Sequence, residues 1–373
     1  MTFLDLFAGI GGFRRGLERS GHTCVGHVEI DKYANKSYMA MYELEACPYG
    51  VASGNNSCTM CSREVRKNCD GKACNGEWYA KDIQQLRAGE IPKAEIWTFG
   101  FPCTDVSISG RMAGLHGARS GLFFTVVGLL KSTAPQDKPR YLIVENVKHL
   151  VSSENGGAFT TILAELWAAG YDCEWCVVNS KAFGVPQHRE RVYIVGRLGN
   201  GCPGKVFPLG GANPTPVKRL VGGRQGKRIY DSTGLSITIT AEGGGFAGHT
   251  GLYAVGARTA SDAAFIDLNK NPKITESARC IRARQNAGIV NHRGECSGVL
   301  LCQNRHGVLT CCRIRRLTPR ECWRLQAFED FLFDRARAAG ISDAQLYKQA
   351  GNAVTANVVY EIGRRLAEIG GNA

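Results

Sequence analysis

The sequence predicts a doubly wound α/β domain joined to a smaller, loop-rich second domain. Three observations carry this. Over the first half, short apolar runs alternate with stretches of helical length and pattern. The first apolar run ends in a glycine-rich turn, DLFAGIGGF at 5–13. Beyond Gly199 the composition shifts to Gly, Pro, Arg and Thr, with only short β-like runs such as SITIT and GVLTCC.

The elements follow in order. Thr2–Phe7 is a strand, and Phe13–Arg19 a helix after the turn. Cys24–Ile30 is a second strand; Asp31 then caps a helix over KYANKSYMAMYE. Glu95–Gly100 is a strand, Leu122–Lys131 a helix and Tyr141–Glu145 a strand. Phe159–Ala169 is a helix, and Cys173–Asn179 and Val192–Gly196 are strands. Strands separated by helices of this length predict a parallel sheet. Late in the chain, Thr318 and Pro319 are the N-cap and first residue of a helix through TPRECWRLQAF. Ala353–Glu368 is helical again and is expected to pack back onto the first domain. The expected domains are 1–200, 201–335 and a returning segment 336–373, with a Cys-rich insert at 47–77.

Charge and composition narrow the function. The chain has 373 residues, 44% hydrophobic and 21% charged, a globular composition. Its net charge is +13, and residues 205–330 alone hold 19 Lys/Arg against 9 Asp/Glu, a net of +10. So local an excess favours a polyanionic partner. No apolar run reaches 18 residues, so no membrane span is expected. The N-terminal stretch has no basic start, so no secretory signal is expected either. The 16 Cys are therefore read as reduced thiols in a cytosolic setting.

Four segments carry candidate chemistry. The turn at 5–13 lets the backbone approach a nucleotide-like ligand, and Glu29, after the second strand, suits two ribose hydroxyls. Asp82 could meet an adenine amino group. In GFPCTDVSISG at 100–110, Cys103 follows an apolar strand, where doubly wound sheets bind ligands; a nucleophile there needs a lowered thiol pKa. In YLIVENV at 141–147, Glu145 ends a strand where an acid can hold a proton for donation. In GVPQHRERVYIVG at 184–196, Gln187, Arg189 and Arg191 alternate and so face one way if extended. Taken singly, each also fits a plainer role: a tight turn, a buried thiol, a strand-end cap.

In this order and spacing the segments resemble the cytosine-5 DNA methyltransferase family. The likeness covers residues 1–46, 78–200 and 313–373, and includes GLFF at 121–124, RRLTPRECWRLQAF at 315–328 and QAGNAV at 349–354. It implies an S-adenosylmethionine-dependent methyltransferase sheet beside a DNA-recognition domain. By resemblance Phe7, Gly9, Gly11, Glu29, Asp82, Ile83, Pro102, Leu122 and Asn352 line the cofactor pocket. Cys103 is implied as nucleophile and Glu145 as the residue on the target cytosine, supported by Arg189 and Arg191. The cytosine would be flipped out of duplex DNA, with Ser107 and Ser109 on a closing loop. Gln187, Arg224, Arg228 and Arg282 are candidate DNA contacts, as are Lys227, Arg258, Arg279 and Arg284. A monomer is expected; a cognate restriction endonuclease and phage self-protection are both open.

The Cys-rich insert departs from the family pattern. Cys58, Cys61, Cys69 and Cys74, with Cys47 upstream, suit a structural zinc site; four reduced thiols are the other reading. Cys302, His306, Cys311 and Cys312 read as ordinary strand content. Three other functions were open on sequence: an RNA methyltransferase with this core, an inactive DNA-binding module, and a Cys hydrolase. Intact Cys103, Glu145 and Arg189 argue against the second, and the lack of a placed partner His against the third.

Overall fold

The computed structural model describes residues 1–44, 77–102, 121–199, 206–209 and 317–370, and short backbone strands between 219 and 313. The described chain forms two compact units. The first comprises Met1–Val178, Glu190–Gly210 and Val358–Ala373; the second comprises Asn179–Arg189 and Gly211–Asn357.

The first unit is built on a seven-stranded sheet. Its strands are β1 Thr2–Leu6, β2 Thr23–Val28, β3 Trp78–Ala80, β4 Ile96–Phe99, β5 Tyr141–Val147, β6 Tyr171–Asn179 and, after β7 Gln187–His188 of the second unit, β8 Glu190–Leu198. The order is β3-β2-β1-β4-β5-β8-β6. From β3 to β5 the pairs are parallel. Against the all-parallel expectation, β8 runs antiparallel to β5, so the sheet is mixed. β4 and most of β1 are buried along their length, which is what a sheet covered on both faces requires.

Helices α1 Gly12–Arg19, α2 Lys32–Met41, α3 Leu122–Ser132 and α4 Gly157–Ala168 fall between the strands. Asp31 caps α2, its Oδ1 accepting from the backbone N–H of Tyr33 (2.9 Å) and Ala34 (3.1 Å). The core includes Leu4, Leu6, Trp97, Phe99, Phe123, Leu142, Val144 and Ile194. The chain order reverses between β1 and β4, so the crevice at their carboxyl ends is the switch point where such sheets bind ligands.

The second unit contains α5 Pro319–Arg324, α6 Asp330–Ala338 and α7 Asp343–Asn352. Thr318 caps α5 in a reciprocal box with Glu321, and Pro319 opens the helix. Trp323 is fully buried and its Nε1 donates to Leu346 O at 3.0 Å. The backbone strands include an antiparallel four-stranded sheet, whose longest pairing runs from Ser297–Arg305 to Val308–Arg313. The last helix, α8 Ala356–Gly370, starts in this unit and ends in the first. There Ile362 and Leu366 are buried and His22 Nε2–H donates to Gly363 O at 2.9 Å. The return to the first unit begins at Val358, 22 residues beyond the expected 336.

Candidate functional site

Three loops of the first unit lie at the carboxyl ends of β1, β4 and β5. The loop after β1 alternates left-handed residues: Phe7 (φ 55°), Gly9 (φ 58°) and Gly11 (φ 77°). For Phe7 that conformation costs roughly 1–2 kcal/mol, strain of a kind that clusters at functional sites. At Gly9 no described heavy atom lies within 4 Å of where a Cβ would stand. Among the described residues the loop is open on that side, which is the room a ligand approaching the backbone needs.

Glu29 braces this loop. One carboxylate oxygen accepts from Gly9 N (2.7 Å) and the other from Asp31 N (2.7 Å). A carboxylate offers acceptors only, the complement of hydroxyl and N–H donors. Ile30, next in sequence, is 60% exposed and lays an apolar side chain beside the loop. Sequence reasoning missed it, because a single apolar residue after a strand carries no pattern. Asp82 caps a short turn, accepting from Gln84 N (3.0 Å) and the Gln85 amide (3.2 Å). Ile83 is buried in the core, Leu122 is half-buried at the start of α3, and Pro102 is half-buried. The glycine loop, a carboxylate beside it and an adjacent apolar face are groups that can meet the hydroxyls and flat base of a nucleoside.

Beneath the loop, β1 and β4 are pinned by a buried polar pair. Asp5 stands opposite Thr98 in the register and accepts its hydroxyl at 2.9 Å. Burial pushes the Asp5 carboxyl up to about 8, so it is mainly a neutral acid at pH 7.

Glu145 and Asn146 end β5 one strand further on. A Cβ on Gly100 would come within 3.2 Å of Glu145 Oε2, so the carboxylate sits directly against the chain leaving β4. Asn146 is buried and its Nδ2 donates to Phe101 O at 3.1 Å. This amide therefore ties the Gly100–Pro102 segment to the end of β5. Sequence reasoning gives Asn146 no role, since the tether spans 45 residues. On the other side, Arg191 Nε lies 3.0 Å from Glu145 Oε1.

The alternation of Gln187, Arg189 and Arg191 had suggested one shared face. The structure gives them separate tasks, because the boundary between the units falls after Arg189. Arg191 pairs with Glu145 in the first unit. Arg189, buried in the second, donates to the carbonyls of Gly351 (3.3 Å) and Ala353 (3.0 Å), either side of Asn352. Gln187 is fully buried and donates to Leu325 O at 2.7 Å, which corrects its expected place against DNA. Asn352 is exposed at the end of α7 in the second unit.

Several expected residues lie outside the described ones: Cys103, Ser107, Ser109, Arg224, Arg228, Arg282, and the insert cysteines Cys58, Cys61, Cys69 and Cys74. Lys227, Arg258, Arg279 and Arg284 do so too. Among the described residues, no group of three or more His, Cys, Asp or Glu is placed to hold a metal, and no helix is long and apolar enough to cross a membrane.

Comparison with known proteins agrees with the fold and the motifs. A family model described as C-5 cytosine-specific DNA methylase matches residues 1–51, 71–205 and 229–368. The chain is 27% identical to the orphan methyltransferase M.SPBetaI of Bacillus phage SPbeta, over 98% of this chain and 97% of that one. It is also 27% identical to the type II methyltransferase M.HhaI of Haemophilus parahaemolyticus, over 98% and 95%. Among solved structures, the Entamoeba histolytica methyltransferase EhMeth superposes with a TM-score of 0.60 at 17% identity, covering 99% of this chain and 98% of that one. The Dnmt2 methyltransferase of S. pombe gives the same values.

Proposed function

The chain belongs to the C-5 cytosine-specific DNA methylase family, and from that premise we propose how its own residues carry out the transfer. It is a DNA (cytosine-5-)-methyltransferase, and the family implies S-adenosylmethionine as methyl donor. We propose that the substrate is a cytosine flipped out of a specific duplex sequence, and that the reaction passes through a covalent adduct with Cys103.

The observation that carries the site assignment is the grouping at the ends of β4 and β5. Glu145 stands against Gly100, and Asn146 holds the Phe101 carbonyl, two residues before Cys103. Carbon 5 of cytosine is a poor nucleophile. The Cys103 thiolate adds to carbon 6, and the electron pair of the 5,6 double bond moves into the ring. Glu145, acting as the neutral acid, donates a hydrogen bond or its proton to ring nitrogen 3, so that the developing negative charge ends on the Glu145 carboxylate. Arg191, with its Nε 3.0 Å from Glu145 Oε1, would stabilise the carboxylate that this transfer leaves. When bound, S-adenosylmethionine supplies a sulfonium-activated methyl group, which carbon 5 accepts. Transfer of the carbon 5 proton to solvent re-forms the 5,6 double bond and expels Cys103 as thiolate, and ring nitrogen 3 returns its proton to Glu145.

Phe7, Gly9, Gly11, Glu29, Ile30, Asp82, Ile83, Pro102 and Leu122 of the first unit are the residues we assign to the cofactor. Glu29 would take the ribose hydroxyls and the exposed face of Ile30 would cover the adenine. Residues 201–335 are proposed as the target-recognition region, because that segment carries most of the net positive charge. Arg224, Arg228 and Arg282 are its proposed DNA contacts, and Ser107 and Ser109 are proposed to touch phosphate. The chain is proposed to act as a monomer, either beside a cognate endonuclease or alone. A structural zinc on Cys58, Cys61, Cys69 and Cys74 is proposed as well; well under one zinc per purified chain would contradict it. Bisulfite sequencing of DNA from cells expressing the protein tests the function itself. One protected cytosine context is expected, and genome-wide conversion identical to an empty-vector control would refute it.

A further inference from the structure

Arg14 is only 6% exposed, on α1 directly after the glycine loop. Arginine is almost never buried without partners, and here they surround it. Both terminal nitrogens meet the Glu77 carboxylate at 2.7 Å each, and Nε meets Glu18 at 2.8 Å. The flat face lies 3.9 Å from the centre of the Tyr42 ring. Tyr42, in turn, donates its hydroxyl to Gly11 O at 3.1 Å. A Cβ at Gly11 would fall 2.7 Å from that hydroxyl, so the loop rests directly on the ring.

A surface pair between Arg14 and Glu18, one helical turn apart, would have explained the charge alone. Two features exceed that. The bidentate carboxylate comes from 63 residues further on, at the end of the Cys-rich stretch. The guanidinium then stacks on the one ring whose hydroxyl holds the left-handed turn at Gly11. We propose that Arg14 is a positioning residue for the cofactor loop, fixed by Glu77 and acting through Tyr42 on the Gly11 carbonyl. The proposal rests on the reading of Phe7–Gly11 as the S-adenosylmethionine loop. It makes the residue that closes the Cys-rich stretch a determinant of cofactor affinity, though nothing in its position suggests contact with the cofactor.

Calorimetric titration of the full chain with S-adenosylhomocysteine tests it, using Tyr42→Phe, Glu77→Gln and the double variant. Tyr42→Phe keeps the ring under Arg14 and removes only the hydroxyl. Loss of one net hydrogen bond corresponds to about three- to tenfold weaker binding, expected for each single variant. If the residues act in series, the double variant binds within about twofold of the weaker single one. The KM for the methyl donor should rise with these losses, while kcat at saturating donor stays near wild type. A Tyr42→Phe variant with wild-type melting temperature and unchanged affinity would overturn the proposal, even if Glu77→Gln failed to fold. Losses that simply multiply in the double variant would also overturn it. A wild-type chain that takes up no S-adenosylhomocysteine would instead refute the cofactor assignment of the loop, and this proposal with it.

Discussion

Arg191 Nε lies 3.0 Å from Glu145 Oε1, and the register of β5 against β8 brings the two together. Glu145 stands opposite Tyr193, and Arg191 opposite Val147. The two charged residues are thus diagonal neighbours on one face of an antiparallel pair, within reach of a long side chain. Both side chains are more than four-fifths buried, where an ion pair is less screened by water. The pair places a cation against one oxygen of the Glu145 carboxylate.

Removing the cation should therefore affect turnover more than binding. Arg191→Ala is expected to lower kcat by about 10²-fold, the scale of one positioned acid–base group. The KM for the methyl donor should change little. Steady-state kinetics with labelled donor checks this, and an unchanged kcat would remove Arg191 from the mechanism.

The Asn146 amide is the corresponding device for the loop that leads to Cys103. Asn146→Ala leaves the buried Phe101 carbonyl without this donor, at a cost of about 1–3 kcal/mol. Urea unfolding should show that loss, and kcat should fall with it. Full activity at saturating substrates would mean that the tether does not position the loop.

Asp5 gives a pH dependence whose sign can be worked out. Burial raises its carboxyl from 3.8 to about 8 in the folded chain. The neutral acid's contribution to stability is fully present below pH 3.8 and is lost as pH rises towards 8. Asp5→Asn keeps an acceptor for the Thr98 hydroxyl and cannot ionise. The melting temperature of the variant relative to wild type is therefore expected to be higher at pH 8 than at pH 5. A pH-independent difference would show that Asp5 does not titrate in this range.

Much of this site was legible in the sequence because its parts are local. Asp31 and Thr318–Pro319 announce their helices within three residues. Glu29 and Glu145 are visible as acids at strand ends, where doubly wound sheets place their chemistry. What was not legible depends on pairing across distance. The direction of β8 decides that Arg191 meets Glu145, and no spacing within 184–196 states that direction. The same alternation hid the burial of Gln187, whose partner Leu325 is 138 residues away. β3 has only three residues, too few for a period to show. The partnership of Arg14 with Glu77 crosses the Cys-rich stretch and becomes apparent only once α1 and β3 are in place.

Cys103 and this site are proposed to transfer a methyl group to carbon 5 of cytosine in duplex DNA. The most direct measurement incubates the full chain with duplex DNA and S-adenosylmethionine carrying a tritiated methyl group, then digests the DNA and identifies the labelled nucleoside. Label in 5-methylcytosine with the wild-type chain, and none with a folded, DNA-binding Cys103→Ala variant, is the expected result. Label in any other nucleoside, or undiminished 5-methylcytosine from Cys103→Ala, would rule out this reaction at Cys103.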